Sequence, residues 1–234
     1  MTSASRGAPR KTATAPLPDL RQRILDTSEQ LLEESGVTAL SMREVARRAG
    51  VTHQAPYHHF ADRESILAEL VARGFEQLTR RLARANDRAA TTGKRTALID
   101  SGLAYTGFAL EHPGVFRIMF RPEVCDPTRF PNAMAASECA HAELDRLVRL
   151  IHEGEPSDAL ASTYWAQVHG LAGLLIDGPL GLKLPSLRER RAHLRASLAC
   201  FADAMLGLSA RGAPPSAPGA SPSAPALLPA PAAR

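Results

Sequence analysis

Residues 41–60 read Ser41-Met42-Arg43-Glu44-Val45-Ala46-Arg47-Arg48-Ala49-Gly50-Val51-Thr52-His53-Gln54-Ala55-Pro56-Tyr57-His58-His59-Phe60. Ser41 and Glu44 have the spacing of a capping box, in which the hydroxyl takes the third amide of a helix and the carboxylate reaches back. Met42, Val45, Ala46 and Ala49 then share a face, and Gly50 stops the helix. Thr52 caps a second short helix that is predicted to run from His53 to His59 and stop near Phe60. Small residues at Ala46 and Ala49, with Val51 as a plug, allow two helices to cross closely over a tight turn, which is the anatomy of a helix-turn-helix. The outward residues of the second helix, Thr52, His53, Gln54, Tyr57, His58 and His59, are all able to hydrogen-bond. A helix so lined suits a major groove about 12 Å wide. Pro56 falls in its first turn, where a missing amide costs least, but it pushes Ala55 away from the αR region and predicts an irregular start.

Upstream, Asp19 is the expected N-cap of a first helix, with Gln22 three residues on. Ile24, Leu25, Leu31 and Leu32 form its apolar face until Gly36. Downstream, Asp62 caps a long helix whose stripe of Ile66, Leu67, Leu70, Val71, Gly74, Phe75, Leu78 and Leu82 suits a connector between two bodies. Further helices are expected at 95–111, ended by His112-Pro113, and at 114–120, 132–153, 157–176 and 187–208. Arg121 to Pro131 reads as a loop, Asp177-Gly178-Pro179 as a turn, and Arg188-Glu189-Arg190-Arg191 as a solvated helix start. No stretch alternates apolar and polar residues as a strand would, so the fold class is all-α.

The chain has 234 residues, 44% of them hydrophobic and 22% charged, which suits an ordinary globular body of one or two domains. No run approaches the ~18 apolar residues of a membrane span, and the basic amino terminus lacks the apolar stretch of a signal peptide, so the expected location is the cytoplasm. Cys125, Cys139 and Cys200 are odd in number and widely spaced, which argues against a disulfide framework or a thiolate metal site. The net charge of +4 is accounted for by Arg6, Arg10, Lys11, Arg21 and Arg23 against Asp19. The expected organisation is a disordered basic arm (1–18), a helix-turn-helix DNA-binding domain (19–80), a second all-α domain (81–208) and a disordered Pro/Ala-rich tail (209–234).

Ala49-Gly50-Val51-Thr52, Tyr57-His58-His59-Phe60 and Asp62-Arg63-Glu64 closely resemble the signature of the tetracycline-repressor-like (TetR/AcrR) family of bacterial transcription regulators. The likeness covers residues 19–78. It implies a three-helix DNA-binding domain, a fourth helix leading to a variable ligand and dimer domain, and a repressor released by a small molecule. Carried over by position, it implies that Ser41 and Arg43 approach phosphates, that Thr52, His53 and Gln54 lead the recognition helix, and that Tyr57, His58 and Arg63 bond further phosphates. Gln54 has the geometry to pair bidentately with adenine. Trp165-Ala166-Gln167-Val168-His169-Gly170 resembles the Trp-x-x-x-His-Gly signature of one subgroup, which His112-Pro113 also suits.

Candidate effector-pocket residues are Phe108, Phe116, Met119, Phe120, Trp165 and His169; the same spacing also suits plain core packing. Leu194, Leu198, Phe201 and Met205 are spaced for a dimer interface in which the last two long helices meet their symmetry mates. The expected partners are a double-stranded operator, a second copy of the chain and an unidentified effector, with no membrane, metal or cofactor. Two other readings remain open. One is a non-specific architectural DNA protein, supported by the basic arm. The other is an all-α enzyme, against which stands the lack of a Gly-rich phosphate loop, a nucleophile motif or a carboxylate cluster.

Overall fold

The computed structural model describes residues 19–152 and 157–210, and within them every regular element is helical. The expected basic arm, the helix end at Gly154 and the tail beyond Ala210 lie outside the described residues. Ser209 and Ala210, read above as the start of the tail, complete the last helix.

The amino-terminal unit consists of α1 (Leu20–Ser35), α2 (Met42–Arg48) and two 3-10 turns, over Val37–Ala39 and Ala55–His58. Asp19 occupies the N-cap position of α1 without making a side-chain cap bond, and Gly36 closes the helix with its N–H on the Leu32 carbonyl at 3.0 Å. The Ser41 hydroxyl accepts the Glu44 N–H at 3.2 Å, so one half of the expected capping box forms. The other half does not. The Glu44 carboxylate turns to Arg47, at 2.8 and 2.6 Å, and to Arg48, at 3.1 Å; charge-assisted bonds of this kind outcompete a reach back to a neutral amide. Gly50 takes φ +67°, a left-handed conformation open to few other residues, and so makes the turn.

Asp62 accepts the Ser65 N–H and hydroxyl, both at 2.7 Å, and so starts α3 (Arg63–Asp87), the connecting helix of 25 residues. Then follow α4 (Ala89–Thr92), α5 (Lys94–Glu111), α6 (Pro113–Met119), α7 (Pro131–Ile151), α8 (Asp158–Ile176), α9 (Pro179–Lys183) and α10 (Leu187–Ala210). The short α4 and α9 escaped sequence analysis because one turn of helix carries no apolar period. Arg190, expected in a solvated helix start, turns back to donate to the carbonyls of Leu184 at 2.8 Å and Gly181 at 3.1 Å, closing the end of α9.

α5 runs through the middle of the second body, packed by α3, α7, α8 and α10. One continuous apolar cluster begins at Ile24, Leu25 and Leu40 in the amino-terminal unit. It passes along Leu67, Leu70 and Phe75 of α3 and ends at Tyr105, Phe116 and Met119. Leu98, Val148, Tyr164, Leu175 and Leu194 centre a second cluster. The first cluster thus runs without a break from the amino-terminal unit into the second body.

Candidate nucleic-acid interface and ligand cavity

The stretch read as a recognition helix is not an α-helix. Its bonds run from Ala55 N–H to Thr52 O at 3.0 Å, from Tyr57 N–H to Gln54 O at 3.1 Å and from His59 N–H to Pro56 O at 3.0 Å, all three residues apart, and a single four-apart bond, from Phe60 N–H to Pro56 O at 2.9 Å, closes the segment. Pro56 has no N–H, so the bond that would close the first α-turn on Thr52 cannot form, and the tighter 3-10 geometry takes over. Ala55 nonetheless lies inside that turn. Pro56 and Phe60 are buried anchors, while Thr52, His53, Gln54, His58 and His59 are exposed and Tyr57 is 46% exposed. His53 and Tyr57 meet edge to face at 6.2 Å, so these two side chains share one surface.

Around that surface the arginines divide by task. Arg23 donates to the Ala49 carbonyl at 2.6 Å, closing α2. Arg47 and Arg48 are held by Glu44, whose carboxyl is kept down at about 2 chiefly by its hydrogen bond from Arg47 and then by Arg48; Glu34 also engages Arg48. Arg63, expected to reach a phosphate, donates through Nε to the Leu40 carbonyl at 2.7 Å and through Nη2 to the Val37 carbonyl at 2.6 Å. It braces the segment between α1 and α2 from within. Arg43 is exposed beside Ser41 and makes no ion pair or side-chain hydrogen bond among the described residues.

The second body holds a half-open cavity of about 630 Å³ between α3, α5, α7, α8, α10 and the end of α6. Of the six expected pocket residues, Met119, Phe120 and Trp165 line it. Phe108 is fully buried core. Phe116 and His169 stand behind the wall, their rings 5.3 Å apart, and His169 lies 4.8 Å from Phe120. Sequence analysis missed Phe75, Tyr105 and Tyr164, which also line the cavity, and placed Phe201, another lining residue, at a dimer interface. A hydroxylated aromatic in the otherwise apolar stretch around Tyr105 was the available signal.

Tyr105 organises the wall. Its hydroxyl oxygen accepts from Trp165 Nε1 at 3.2 Å and pairs with His169 Nδ1 at 2.9 Å. Burial raises the Tyr105 pKa, so the phenol keeps its proton; the pair is joined by that proton when His169 carries its own on Nε2, and by the Nδ1 proton in the other tautomer. Burial lowers the His169 pKa, and it pushes Tyr164 up to about 12 and the Cys125 thiol up to about 11. A neutral His169 is therefore part of the fold.

Its unfolded counterpart takes up a proton below about pH 6.5, so the stabilisation is complete above that pH and is lost as the pH falls. Thermal melting should therefore drop by a few degrees between about pH 7.5 and 5.5. His152, lowered by burial and by Lys94, contributes in the same direction. In His169→Gln the drop should be smaller, and an unchanged profile would remove His169 from this account.

Leu194 and Leu198, expected at a dimer interface, are 1% and 2% exposed inside the protomer's own core, and Phe201 and Met205 are half-buried. The exposed residues of α10 include Ala192, Ala196 and Cys200, and those of α8 include Ala166, Gly170 and Leu174.

Residues 24–70 match the family of bacterial regulatory proteins named for tetR, and residues 98–198 match the tetracyclin repressor-like C-terminal domain. The chain belongs to the tetR family. This tetR-family chain is 40% identical over 52 residues to the transcriptional regulator AcrR of Shigella flexneri, a match covering 22% of this chain and 24% of AcrR. It is 26% identical over 96 residues to YobS, an uncharacterized HTH-type transcriptional regulator of Bacillus subtilis, covering 41% of this chain and 49% of YobS. These matches thus span about a quarter and about a half of the two curated relatives. A solved structure from Rhodococcus sp. RHA1, of unknown function, superposes with a TM-score of 0.63 at 28% identity, over 82% of this chain and 96% of that one. The family and the named relatives are regulators rather than enzymes. Among the described residues no helix is long and apolar enough to cross a membrane.

Proposed function

We propose that this tetR-family chain is a ligand-responsive transcription regulator, most simply a repressor, that binds a pseudo-palindromic DNA operator as a homodimer. The observation that carries this reading is a single apolar cluster that runs from Val45 and Phe60, which flank the exposed face of Thr52, His53, Gln54, Tyr57 and His58 in the sequence, to a cavity of drug-molecule size. Ser41, Arg43, Tyr57 and His58 serve as phosphate contacts that set orientation, and Thr52, His53 and Gln54 read bases. The bond chain Trp165–Tyr105–His169 gives the Trp-His-Gly signature a physical role as one wall of the cavity, which supports placing the chain in that subgroup.

The link between sites is α6. Its carboxyl end brings Met119 and Phe120 to the cavity, and its amino end is held by the Glu33 carboxylate of α1, which accepts the N–H groups of Gly114 at 2.7 Å and Val115 at 3.1 Å. An effector that fits the cavity better when Phe120 moves shifts the population toward a tilted α6, and hence a displaced α1 and DNA-reading face.

Selection of bound sequences from random duplex DNA at two salt concentrations tests the reading, with enrichment of an inverted repeat as the expected result. Binding without enrichment, vanishing at the higher salt, points instead to a non-specific architectural protein. On the selected operator, Gln54→Ala should cost about 1–3 kcal/mol while leaving random DNA unaffected; equal losses on both would remove Gln54 from base reading. The dimer is proposed to form through the small outward residues of α8 and α10. Ala196→Arg should therefore give a monomer in sedimentation analysis with undiminished helix content, and a persistent dimer would place the interface elsewhere.

A further inference from the structure

On the other faces of α3 and α5 lies a second concavity of about 460 Å³, bounded also by α10. Its apolar part comes from Leu103, Leu110 and Leu194, and its rim carries five arginines: Arg81 and Arg84 from α3, Arg88 at its C-cap in αR conformation, and Arg191 and Arg195 from α10. The spacings i, i+3, i+7 and i, i+4 put each set on one helix face, so the two rows confront each other across the groove.

Among the described residues one carboxylate, Glu111, reaches two of the five. It takes Arg81 Nη2 at 2.7 Å and lies 3.8 Å from Arg191 Nη2. Arg84, Arg88 and Arg195 are exposed and have no ion-pair partner among the described residues. Elsewhere on the same helices and on α5 pairing is common: Arg73 faces Asp26 at 3.5 Å, Arg80 faces Glu76 at 3.8 Å and Arg95 faces Asp203 at 2.6 Å. Unpaired guanidinium groups gathered around one groove repel one another and are relieved by an anion, which their planar forks bind with two hydrogen bonds each.

We infer that this groove binds a small polyanion, a molecule with two or more phosphate groups whose apolar portion lies on the leucines. The size of the groove is within the range of small-molecule sites. Its place favours a small molecule over a DNA backbone, because Arg81 is 18 residues along α3 from Arg63, about 27 Å at 1.5 Å per residue. A bound polyanion ties the distal half of α3 to α10. The inference stands apart from the effector cavity and does not require that the chain binds DNA.

The test is titration calorimetry on the full chain with inorganic pyrophosphate and with ATP, at physiological salt, together with thermal melting. We expect saturable binding, a melting temperature that rises by a few degrees at saturation, and a loss of about tenfold or more per arginine in Arg84→Ala and Arg195→Ala and in the double variant. Arg149→Ala, on exposed α7 surface, should bind as the parent does. The Arg84 and Arg195 variants without ligand should melt no lower than the parent, since they relieve repulsion. Absence of binding by both probes up to about 10 mM overturns the inference, as does binding that the Arg84 and Arg195 variants leave unchanged. If random duplex DNA alone binds through these arginines, they belong to a nucleic-acid surface and the small-polyanion reading fails.

Discussion

Arg63→Ala is expected to destabilise the amino-terminal unit by about 2–4 kcal/mol, measured by urea or thermal unfolding. The side chain makes two charge-assisted bonds, to the carbonyls of Leu40 and Val37 at 2.7 and 2.6 Å, and bonds of this class contribute about 1.5–3 kcal/mol each before water replaces part of them. Those carbonyls belong to the segment that carries the chain from α1 into α2, and Leu40 itself is buried in the core. When the brace is removed, the support helix loses its position relative to α3. Arg63→Lys keeps one donor centre in place of the planar fork and should recover no more than about half of the loss. A residue whose task is to touch phosphate behaves differently: its removal leaves unfolding unchanged and lowers the salt slope of DNA binding by about one. Stability within about 0.5 kcal/mol of the parent, with that change in slope, would restore Arg63 to the DNA surface.

That contrast also marks where sequence reading reaches and where it stops. Helix starts set by local chemistry were legible: Ser41 on the Glu44 amide and Asp62 on the Ser65 amide depend on residues three apart, and so did the inward stripe of α3. The all-α class and the place of the helix-turn-helix followed from the same local rules. What was not legible is which partner a long side chain chooses. Glu44 prefers Arg47 and Arg48 to its own backbone, and Arg63 prefers carbonyls 23 and 26 residues away.

Leu194 and Leu198 were misplaced for a related reason. An apolar period gives the direction of the buried face of α10, but Leu194 and Leu198 meet α5 of the same chain rather than a second copy. In the cavity, the period gave Met119 and Phe120. It could not separate the ring that lines space, Phe120, from the ring one turn earlier that fills it, Phe116. Pro56 shows a local rule correctly applied and too weakly drawn: the missing amide did more than disturb the start of a helix, because the segment ends on its first four-apart bond, Phe60 N–H to Pro56 O, with no further turn to extend α geometry.

The seam between α1 and α6 carries the other large effect. A Cβ added at Gly114 would lie 2.6 Å from the Leu32 carbonyl oxygen and 2.8 Å from the Glu33 nitrogen, both backbone atoms that cannot rotate away. Gly114→Ala must therefore push α6 off α1, at a cost of about 1–3 kcal/mol or more. Glu33→Ala attacks the same seam without added bulk. It removes the carboxylate that accepts two N–H groups at the start of α6, where negative charge is also favoured by the helix dipole, and should cost about 2–3 kcal/mol. If α6 does no more than pack, the two variants lose stability and their remaining folded molecules bind operator and effector as the parent does. If α6 transmits displacement, the folded variants still bind effector in the cavity, since Met119 and Phe120 are intact, but saturating effector releases the operator much less than in the parent. Stability sets how much protein is folded, whereas the change in operator affinity on adding effector is a coupling free energy that belongs to the folded molecules alone. Measuring operator affinity with and without effector, at a temperature where both variants are fully folded, separates the two. Full release by effector in Glu33→Ala would move the route of coupling from α6 to α3.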